Sequence, residues 1–287
     1  LETIRQAFDD QLYLFVLDRG DRFLESSAYD QQGLSAQKVR FYMIAGAVRR
    51  GAHEEALKSI AQFETMFPQS QETVKVQVYK AQALYEGYVR NGRARPEAYG
   101  ALRPAQIIAQ VIDFIENKGE GQSLRAQALY IQGLDLFSTG SREGYQLALN
   151  TLLDLYQQHK AFEHRDEGIF FLAQSYYFLD SFDIALTFFR RLAENHRKSG
   201  RFPEYEFWRG LCHFELNQLS EAQQAFQDAW NHQPDPRTQV DLAYNMGWMY
   251  AYQGDRTQAK AWFRRMLAMN ADGYSERYRD SVRYKLA

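Results

Sequence analysis

The sequence predicts an all-α protein that is built from repeated pairs of helices. The first observation is an internal repeat, because the small residues Ala173, Gly210 and Gly247 follow one another at steps of 37 residues. The second is that each copy places apolar residues at i, i+4 and i+7, which is the spacing of one helix face. The third is composition: 45% of residues are hydrophobic, 24% are charged and only six are prolines, which favours a folded soluble protein.

Charge and cysteine content exclude several classes of protein. A formal net charge of −2 argues against a nucleic-acid binder, which needs excess Lys and Arg to meet phosphates. The single cysteine, Cys212, excludes an internal disulfide framework.

No stretch approaches the roughly 20 apolar residues that span a bilayer. The chain opens at Leu1 without methionine, so we expect a processed or trimmed product from which any signal peptide or anchor has been removed.

The repeat is clearest in three successive helix pairs. Their second helices carry alanines and phenylalanines at matching steps of 37 residues: Ala185, Ala222 and Ala259, with Phe189, Phe226 and Phe263. The two helices of a pair are joined by a turn such as residues 253–255, where Gly254 tolerates a positive φ. A small residue on one helix opposite a large aromatic residue on its partner is what a tightly packed helical hairpin requires.

The other elements can be assigned in chain order. Residues 1–33 are predicted to form N-terminal helices and residues 271–287 a C-terminal capping helix. The predicted repeats between them are 34–70, 71–120, 121–164, 165–203, 204–240 and 241–270. An insertion at 91–103 interrupts the second repeat, and Pro104 then suits the first position of a helix. The turn at 138–144 is predicted to be enlarged.

The unit resembles the tetratricopeptide repeat, whose pattern is carried best by Gly210, Ala222, Phe226, Ala229 and Pro234. The resemblance implies a right-handed α–α superhelix of five to six helix pairs with terminal capping helices, in one continuous solenoid. It also implies a concave groove that takes an extended or helical peptide.

One junction between repeats resembles that of a smaller group within the tetratricopeptide proteins. Residues 63–70, from Phe63 through Phe67 and Pro68 to Ser70, are similar to the F-x-x-x-Y/F-P-x-S junction of bacterial envelope tetratricopeptide proteins. These include the lipoprotein of the outer-membrane barrel assembly machine and the TolA-binding periplasmic coordinator. The similarity implies a periplasmic location, and a cytoplasmic scaffold is the alternative.

An aromatic stripe on the first helices supplies the main candidate binding residues. One equivalent position is aromatic in every repeat: Phe41, Tyr79, Tyr130, Phe170, Phe207 and Tyr244. The resemblance implies a groove lined by Tyr130, Phe170, Tyr177, Phe207, Phe214, Tyr244, Trp248 and Tyr252. Two interpretations remain open, since the first helices of a solenoid need a wide apolar face for packing in any case, whereas exposed aromatics anchor partners well.

Two charged features are further candidates. Glu167, Glu204 and Asp241 recur at steps of 37 residues near the starts of first helices. They either form an acidic rail for a basic partner or favour the positive end of the helix dipole, which is the interpretation that we prefer. The insertion supplies a second set of partner-binding candidates, Arg93, Arg95 and Arg103.

The sequence carries no catalytic spacing that we recognise. His159 and His164 are five residues apart, which is not the i, i+4 pair of a helical zinc site. There is no Walker loop and no Gly-x-Ser-x-Gly elbow, and Cys212 lies beside apolar residues, where a thiol is normally inert. We therefore expect no enzymatic activity, no cofactor and no bound metal.

The predicted function is a non-enzymatic scaffold that binds a protein or peptide partner in an aromatic groove. The setting that we expect is a bacterial cell-envelope complex, without nucleic acid and without a transmembrane segment in this chain. Two alternatives stay open. One is a glycan-handling module of a polysaccharide or cell-wall system, and the other is the regulatory part of a larger protein whose active domain has been trimmed away.

Overall fold

The computed structural model describes residues 1–26, 30, 32–94, 100–116, 119–269, 273 and 275–286. Every regular element in this part of the chain is a helix, which confirms the all-α prediction. The α-helices are α1 (Glu2–Asp9), α2 (Tyr13–Glu25), α3 (Leu34–Arg49), α4 (His53–Met66), α5 (Thr73–Leu84), α6 (Pro104–Val111), α7 (Glu120–Phe137), α8 (Arg142–Gln158), α9 (Arg165–Phe178), α10 (Phe182–Asn195), α11 (Phe202–Glu215), α12 (Leu219–Asn231), α13 (Pro236–Tyr252), α14 (Arg256–Ala268) and α15 (Glu276–Leu286).

The chain forms two compact units, Leu1–Gly168 (unit 1) and Ile169–Ala287 (unit 2). Within unit 1 each helix from α1 to α8 packs against its neighbour in sequence, and α3, α5 and α7 also contact one another in turn. Within unit 2 the same neighbour packing runs from α10 to α15. Contacts between neighbouring elements are the rule in repeat proteins, because one helix pair cannot bury its apolar face alone.

The helix pairs of unit 2 pack through a small residue on the first helix and a phenylalanine on the second. A Cβ atom placed on Gly210 would lie 2.5 Å from the ring of Phe226, and one on Gly247 would lie 2.4 Å from the ring of Phe263. Both rings are almost completely buried. The predicted pairing of glycine with phenylalanine is thus confirmed, and glycine is needed where the helix axis approaches the ring this closely.

Short turns join the helices of each pair. Gly254 has φ +83° in the turn between α13 and α14, as predicted, and Asp255 then caps α14 by accepting a hydrogen bond from Gln258 N at 3.0 Å. The turn at 138–144 is smaller than predicted. Its last residues belong to α8, whose N-cap Ser141 accepts a hydrogen bond from Gly144 N at 3.0 Å.

The insertion at 91–103 is anchored at its C-terminal end. Helix α5 ends in a π-helical turn (Tyr85–Val89), and α6 begins at Pro104, which confirms the predicted first position. Arg103 donates to the completely buried carboxylate of Asp135 on α7, through Nη2 to Oδ1 at 2.7 Å and Nε to Oδ2 at 3.2 Å. The same carboxylate accepts from Ala105 N at 3.0 Å, so one acid holds the start of α6 against α7.

Candidate interaction surface

Three residues of the predicted groove lie in the core. Tyr130, Phe170 and Phe207 are 6%, 2% and 8% exposed. Tyr130 packs in unit 1, while Phe170 contacts Phe189 and Tyr205 in unit 2, with ring centroids 5.9 and 5.7 Å apart. The groove prediction is therefore corrected for these three, because first helices use this position to bury a ring between neighbouring helices.

The polar edge of Tyr130 belongs to a network on the first helices of unit 1. Its hydroxyl donates to Glu167 Oε2 at 2.7 Å, and Arg90 Nη2 lies 3.4 Å from Glu167 Oε1. Burial and the nearby carboxylate raise the pKa of Tyr130 well above its ordinary value. A parallel pair, Arg49 and Glu163, is joined at 2.7 Å. Most of the charge in this network is thus matched within unit 1.

The recurring acids do not form one uniform rail. Glu167 and Glu204 lie in the first turns of α9 and α11, where a helix dipole favours them. Asp241 lies beyond the first turn of α13 and accepts a hydrogen bond from the Tyr278 hydroxyl at 2.6 Å. Glu204 accepts from Arg201 Nε at 2.9 Å. Each acid has a partner within its own unit, so intramolecular contacts account for all three.

Tyr244 and Trp248 join α13 to the helices that follow it. The rings of Tyr244 and Tyr278 stack at 4.1 Å with an interplanar angle of 22°. Trp248 meets Phe263 edge-on at 5.9 Å. Both residues are half-buried and pack against the core of α13, α14 and α15. They therefore hold the C-terminal cap of unit 2, and a substitution at either position would disturb packing as well as surface.

The rest of the predicted stripe forms an accessible surface on α9, α11 and α13. These remaining residues, Tyr177, Phe214 and Tyr252, together with Phe178, are what we call the aromatic face of unit 2. Phe178 is 37% exposed and Tyr252 is 67% exposed, and the rings of Phe214 and Tyr252 meet edge-on at 5.9 Å. The Tyr177 hydroxyl donates to Glu215 Oε1 at 3.3 Å, and Glu215 directly follows Phe214 in the chain. The face therefore runs from the end of α9 to the end of α13.

Two contributors to this face escaped the sequence prediction. Phe178 was overlooked because it directly follows Tyr177 and is out of register with the stripe. Trp208 lies behind the face, 5.3 Å from Tyr177 and 5.8 Å from Phe178, both in edge-on geometry. In the sequence, Trp208 is marked only by its position directly after Phe207, on a helix that carries aromatic residues on two faces.

The three arginines predicted from the insertion have different positions. Arg93 is exposed, and its side chain remains accessible to a partner. Arg95 lies outside the described residues. Arg103 is tied to Asp135 and also donates to Ser138 Oγ at 3.0 Å. The structure therefore gives Arg103 an anchoring role, which a sequence separation of 32 residues from Asp135 had hidden.

Two observations concern reactive side chains in the described part of the chain. Cys212 is completely buried, and burial raises the pKa of its thiol to about 12. Across the described residues, no group of three or more His, Cys, Asp or Glu side chains is placed to hold a metal ion. None of the described helices has both the length and the hydropathy that crossing a bilayer requires.

Comparisons with known proteins agree with this geometry. Tetratricopeptide repeat family models match residues 204–236 and 240–272. No curated protein matches the sequence. The C-terminal part of a tetratricopeptide repeat-containing protein from Cytophaga hutchinsonii is similar in structure, with TM-score 0.58 and 14% identity, over 94% of this chain and 95% of that one.

Two further solved structures share the fold. PilF from Pseudomonas aeruginosa has TM-score 0.54 and 13% identity, over 86% of this chain and 98% of its own. A tetratricopeptide repeat protein from Parabacteroides merdae has TM-score 0.50 and 12% identity, over 99% and 95% of the two chains. Repeats of this type generally mediate protein–protein interaction. The family models identify two tetratricopeptide repeats, at residues 204–236 and 240–272, and together with the helix pairs and the glycine–phenylalanine contacts they support a tetratricopeptide repeat assignment.

Proposed function

We propose that the chain is a non-enzymatic scaffold that binds a protein or peptide partner through the aromatic face of unit 2. The observation that carries this proposal is Tyr252, which leaves 67% of its surface in solvent although Phe214 holds its ring edge-on. Phe214 is itself partly buried against the core of α11, α12 and α13, so the core fixes the ring that holds Tyr252. A rigid aromatic pair offers a large contact area at a small cost in rotamer entropy, which is why such residues dominate binding energy at interfaces.

The chemistry of the face selects for an apolar segment of the partner. Phe178 and Tyr252 present ring surface, and Tyr177 keeps its hydroxyl beside the exposed carboxylate of Glu215. Burial and this carboxylate raise the pKa of Tyr177 above its ordinary value, so the phenol stays protonated and remains a donor at neutral pH. A partner with one or two apolar side chains and a nearby hydrogen-bonding group would match this arrangement.

The proposed setting is a cell-envelope complex in the periplasm. The junction at residues 63–70 supports it through its resemblance to envelope tetratricopeptide proteins. In the structure Phe63 and Phe67 are both buried, with ring centroids 5.2 Å apart, at the end of α4. Packing of this ring pair explains why the junction has aromatic residues at these two positions. The proposed periplasmic location therefore rests on the sequence resemblance alone.

A capture experiment tests partner binding and location together. Wild type, the Phe214→Ala/Tyr252→Ala variant and a matched Ile184→Ala control would each be used to capture proteins from envelope and cytosolic extracts. Ile184 is a suitable control because it is also exposed in unit 2 but lies on α10, outside the face. Circular dichroism and melting would first establish equal folding. We expect a protein from the envelope extract that wild type and the control retain and the double variant loses.

Other outcomes would contradict the proposal in distinct ways. Equal retention by all three proteins would show that binding does not use the aromatic face. A partner found only in the cytosolic extract would contradict the envelope setting but leave the scaffold role intact. If the retained component resists protease and is destroyed by periodate, it is a glycan, and the protein-partner proposal fails.

A further inference from the structure

The aromatic face of unit 2 lies where three helices end. Helices α9, α11 and α13 end at Phe178, Glu215 and Tyr252. The last carbonyl groups of a helix carry a partial negative charge, which Lys or Arg side chains in the last turn offset in many proteins. None of these three last turns contains a Lys or an Arg, and the one basic residue in them is His213 on α11. The helix ends therefore keep their negative potential beside the exposed rings.

Glu215 adds a full negative charge at the same place. Its side chain is exposed, and its Oε1 accepts a hydrogen bond from the Tyr177 hydroxyl at 3.3 Å. Tyr177 is neutral, so this contact positions the carboxylate without neutralising it. Among the described residues, no Lys, Arg or His side chain forms an ion pair with Glu215. The second carboxylate oxygen, Oε2, is therefore open to a donor from a partner.

The residues that follow these helix ends add to the negative charge. Segments 179–183, 216–221 and 253–258 join each first helix to its partner, and their charged residues are Asp180, Asp183, Glu221, Asp255 and Arg256. Asp255 caps α14, and the exposed Arg256 offsets only part of the charge of the acids around it. The electrostatic potential of the face is thus complementary to a cation.

The combination of rings and carboxylate favours arginine over lysine. A guanidinium group is flat, stacks on aromatic rings and donates two parallel hydrogen bonds to a carboxylate, whereas the lysine ammonium is a strongly hydrated point charge. In the last turn of α11, Phe214 contacts Tyr252 of α13, and the adjacent Glu215 contacts Tyr177 of α9. Exposed ring surface and an unpaired carboxylate therefore meet at the end of α11, where one arginine side chain would contact both.

We propose that the aromatic face of unit 2 binds an arginine side chain of the protein partner. The guanidinium group stacks on Tyr252 and donates to Glu215, and the apolar residues next to the arginine cover Phe178. This inference rests on the proposed function and deepens it, because it identifies the hydrogen-bonding group of the partner as a cation.

Ligand-observed saturation-transfer NMR tests the inference with two capped peptides, acetyl-Leu-Arg-Leu-amide and its analogue in which uncharged citrulline replaces arginine. The peptides have nearly the same shape and contain no aromatic protons, so saturating the aromatic protons of the protein reports on contact with its rings. We expect wild type to bind the arginine peptide about fivefold more tightly than the citrulline peptide, as a partly screened ion pair implies. The arginine Cδ protons should receive saturation from the rings, and the preference should shrink in about 0.5 M NaCl.

Matched variants locate the charge. Glu215→Gln keeps an acceptor for the Tyr177 hydroxyl and should bind the two peptides equally. Glu221→Gln removes the same charge from the first turn of α12, outside the face, and should keep the preference for arginine. Phe214→Ala/Tyr252→Ala should weaken the binding of both peptides.

Three results would overturn the inference: equal affinity of wild type for the two peptides, an arginine preference that Glu215→Gln retains or Glu221→Gln loses, or no saturable binding of the arginine peptide up to about 10 mM, a generous limit for so short a ligand. The scaffold proposal would survive each of them, because the capture experiment uses the natural partner and depends on neither peptide.

Discussion

Glu206 shows how burial changes the chemistry of one side chain. It lies on α11, 2% exposed, with Arg209 Nη2 2.8 Å from its carboxylate. Burial raises the pKa of Glu206 from its ordinary 4.5 to about 7, and Asp228 adds to the shift, while Arg209, Arg197 and His232 oppose it. The folded protein therefore binds a proton at mildly acidic pH that the unfolded chain does not.

The sign of the resulting pH dependence follows from this shift. The stabilisation due to the raised pKa is fully present below about pH 4.5 and is lost as pH rises through 7. We expect the free energy of unfolding of wild type to fall by about 3 kcal/mol across this interval relative to that of Glu206→Gln. Urea denaturation from pH 4.5 to 8 would measure the difference. Glu204→Gln, on the same helix, should keep the wild-type slope, and a Glu206→Gln variant with that slope would contradict the assignment.

Sequence reasoning at the scale of single residues succeeded where spacing alone determines the contact. Gly210 and Phe226 lie on adjacent helices of one pair, so the repeat pattern was sufficient to pair them. It could not distinguish a groove residue from a core residue within the aromatic stripe. Tyr130 and Tyr252 both follow the pattern, yet one is 6% and the other 67% exposed. Burial depends on which neighbouring helix covers the ring, and the sequence of one helix does not contain that information.

At the scale of elements, the contact between Arg103 and Asp135 holds α6 against α7. The carboxylate of Asp135 is completely buried and accepts two hydrogen bonds from Arg103 and one from Ala105 N. Removing it would leave the buried Ala105 amide without its acceptor. We expect Asp135→Ala to lower the free energy of unfolding by about 2–3 kcal/mol, as measured by urea denaturation.

The control for this contact comes from the same region. Asp113 lies in the 3₁₀ turn that follows α6 and is exposed, so Asp113→Ala should change stability by less than about 0.5 kcal/mol. Equal effects of the two substitutions would mean that Asp135 does not anchor α6. The sequence indicated where α6 begins, because proline has a fixed preference at a helix start. It could not indicate the anchor, because nothing local links Arg103 to a residue in another helix pair.

At the scale of the whole molecule, the contacts run mainly between elements that are neighbours in sequence. The effect of removing one core ring should therefore stay close to that ring. We expect Phe226→Ala to cost about 3–5 kcal/mol by opening a cavity between α11 and α12. Amide hydrogen exchange should accelerate in α11, α12 and α13, while α3, α4 and α5 in unit 1 keep their wild-type protection.

A uniform loss of protection through both units would contradict this expectation, since it would show that the chain unfolds in one cooperative step. A second variant, Phe63→Ala in unit 1, provides the reciprocal comparison, because Phe63 is 2% exposed on α4. Helix pairs and the repeat period could be predicted from sequence because they are local and periodic.

Because the insertion is anchored at its C-terminal end, the chain can be split into two fragments at the insertion. A break in the peptide backbone between 91 and 103 would separate α1–α5 from α6–α15, yet α6 would keep its packing against α5 and α7 and its tether to Asp135. The two fragments would then re-form unit 1 from separate polypeptides, as a split protein does. The insertion is thus the natural place to fuse a reporter, to open new chain ends or to make reassembly of the protein depend on mixing its two halves.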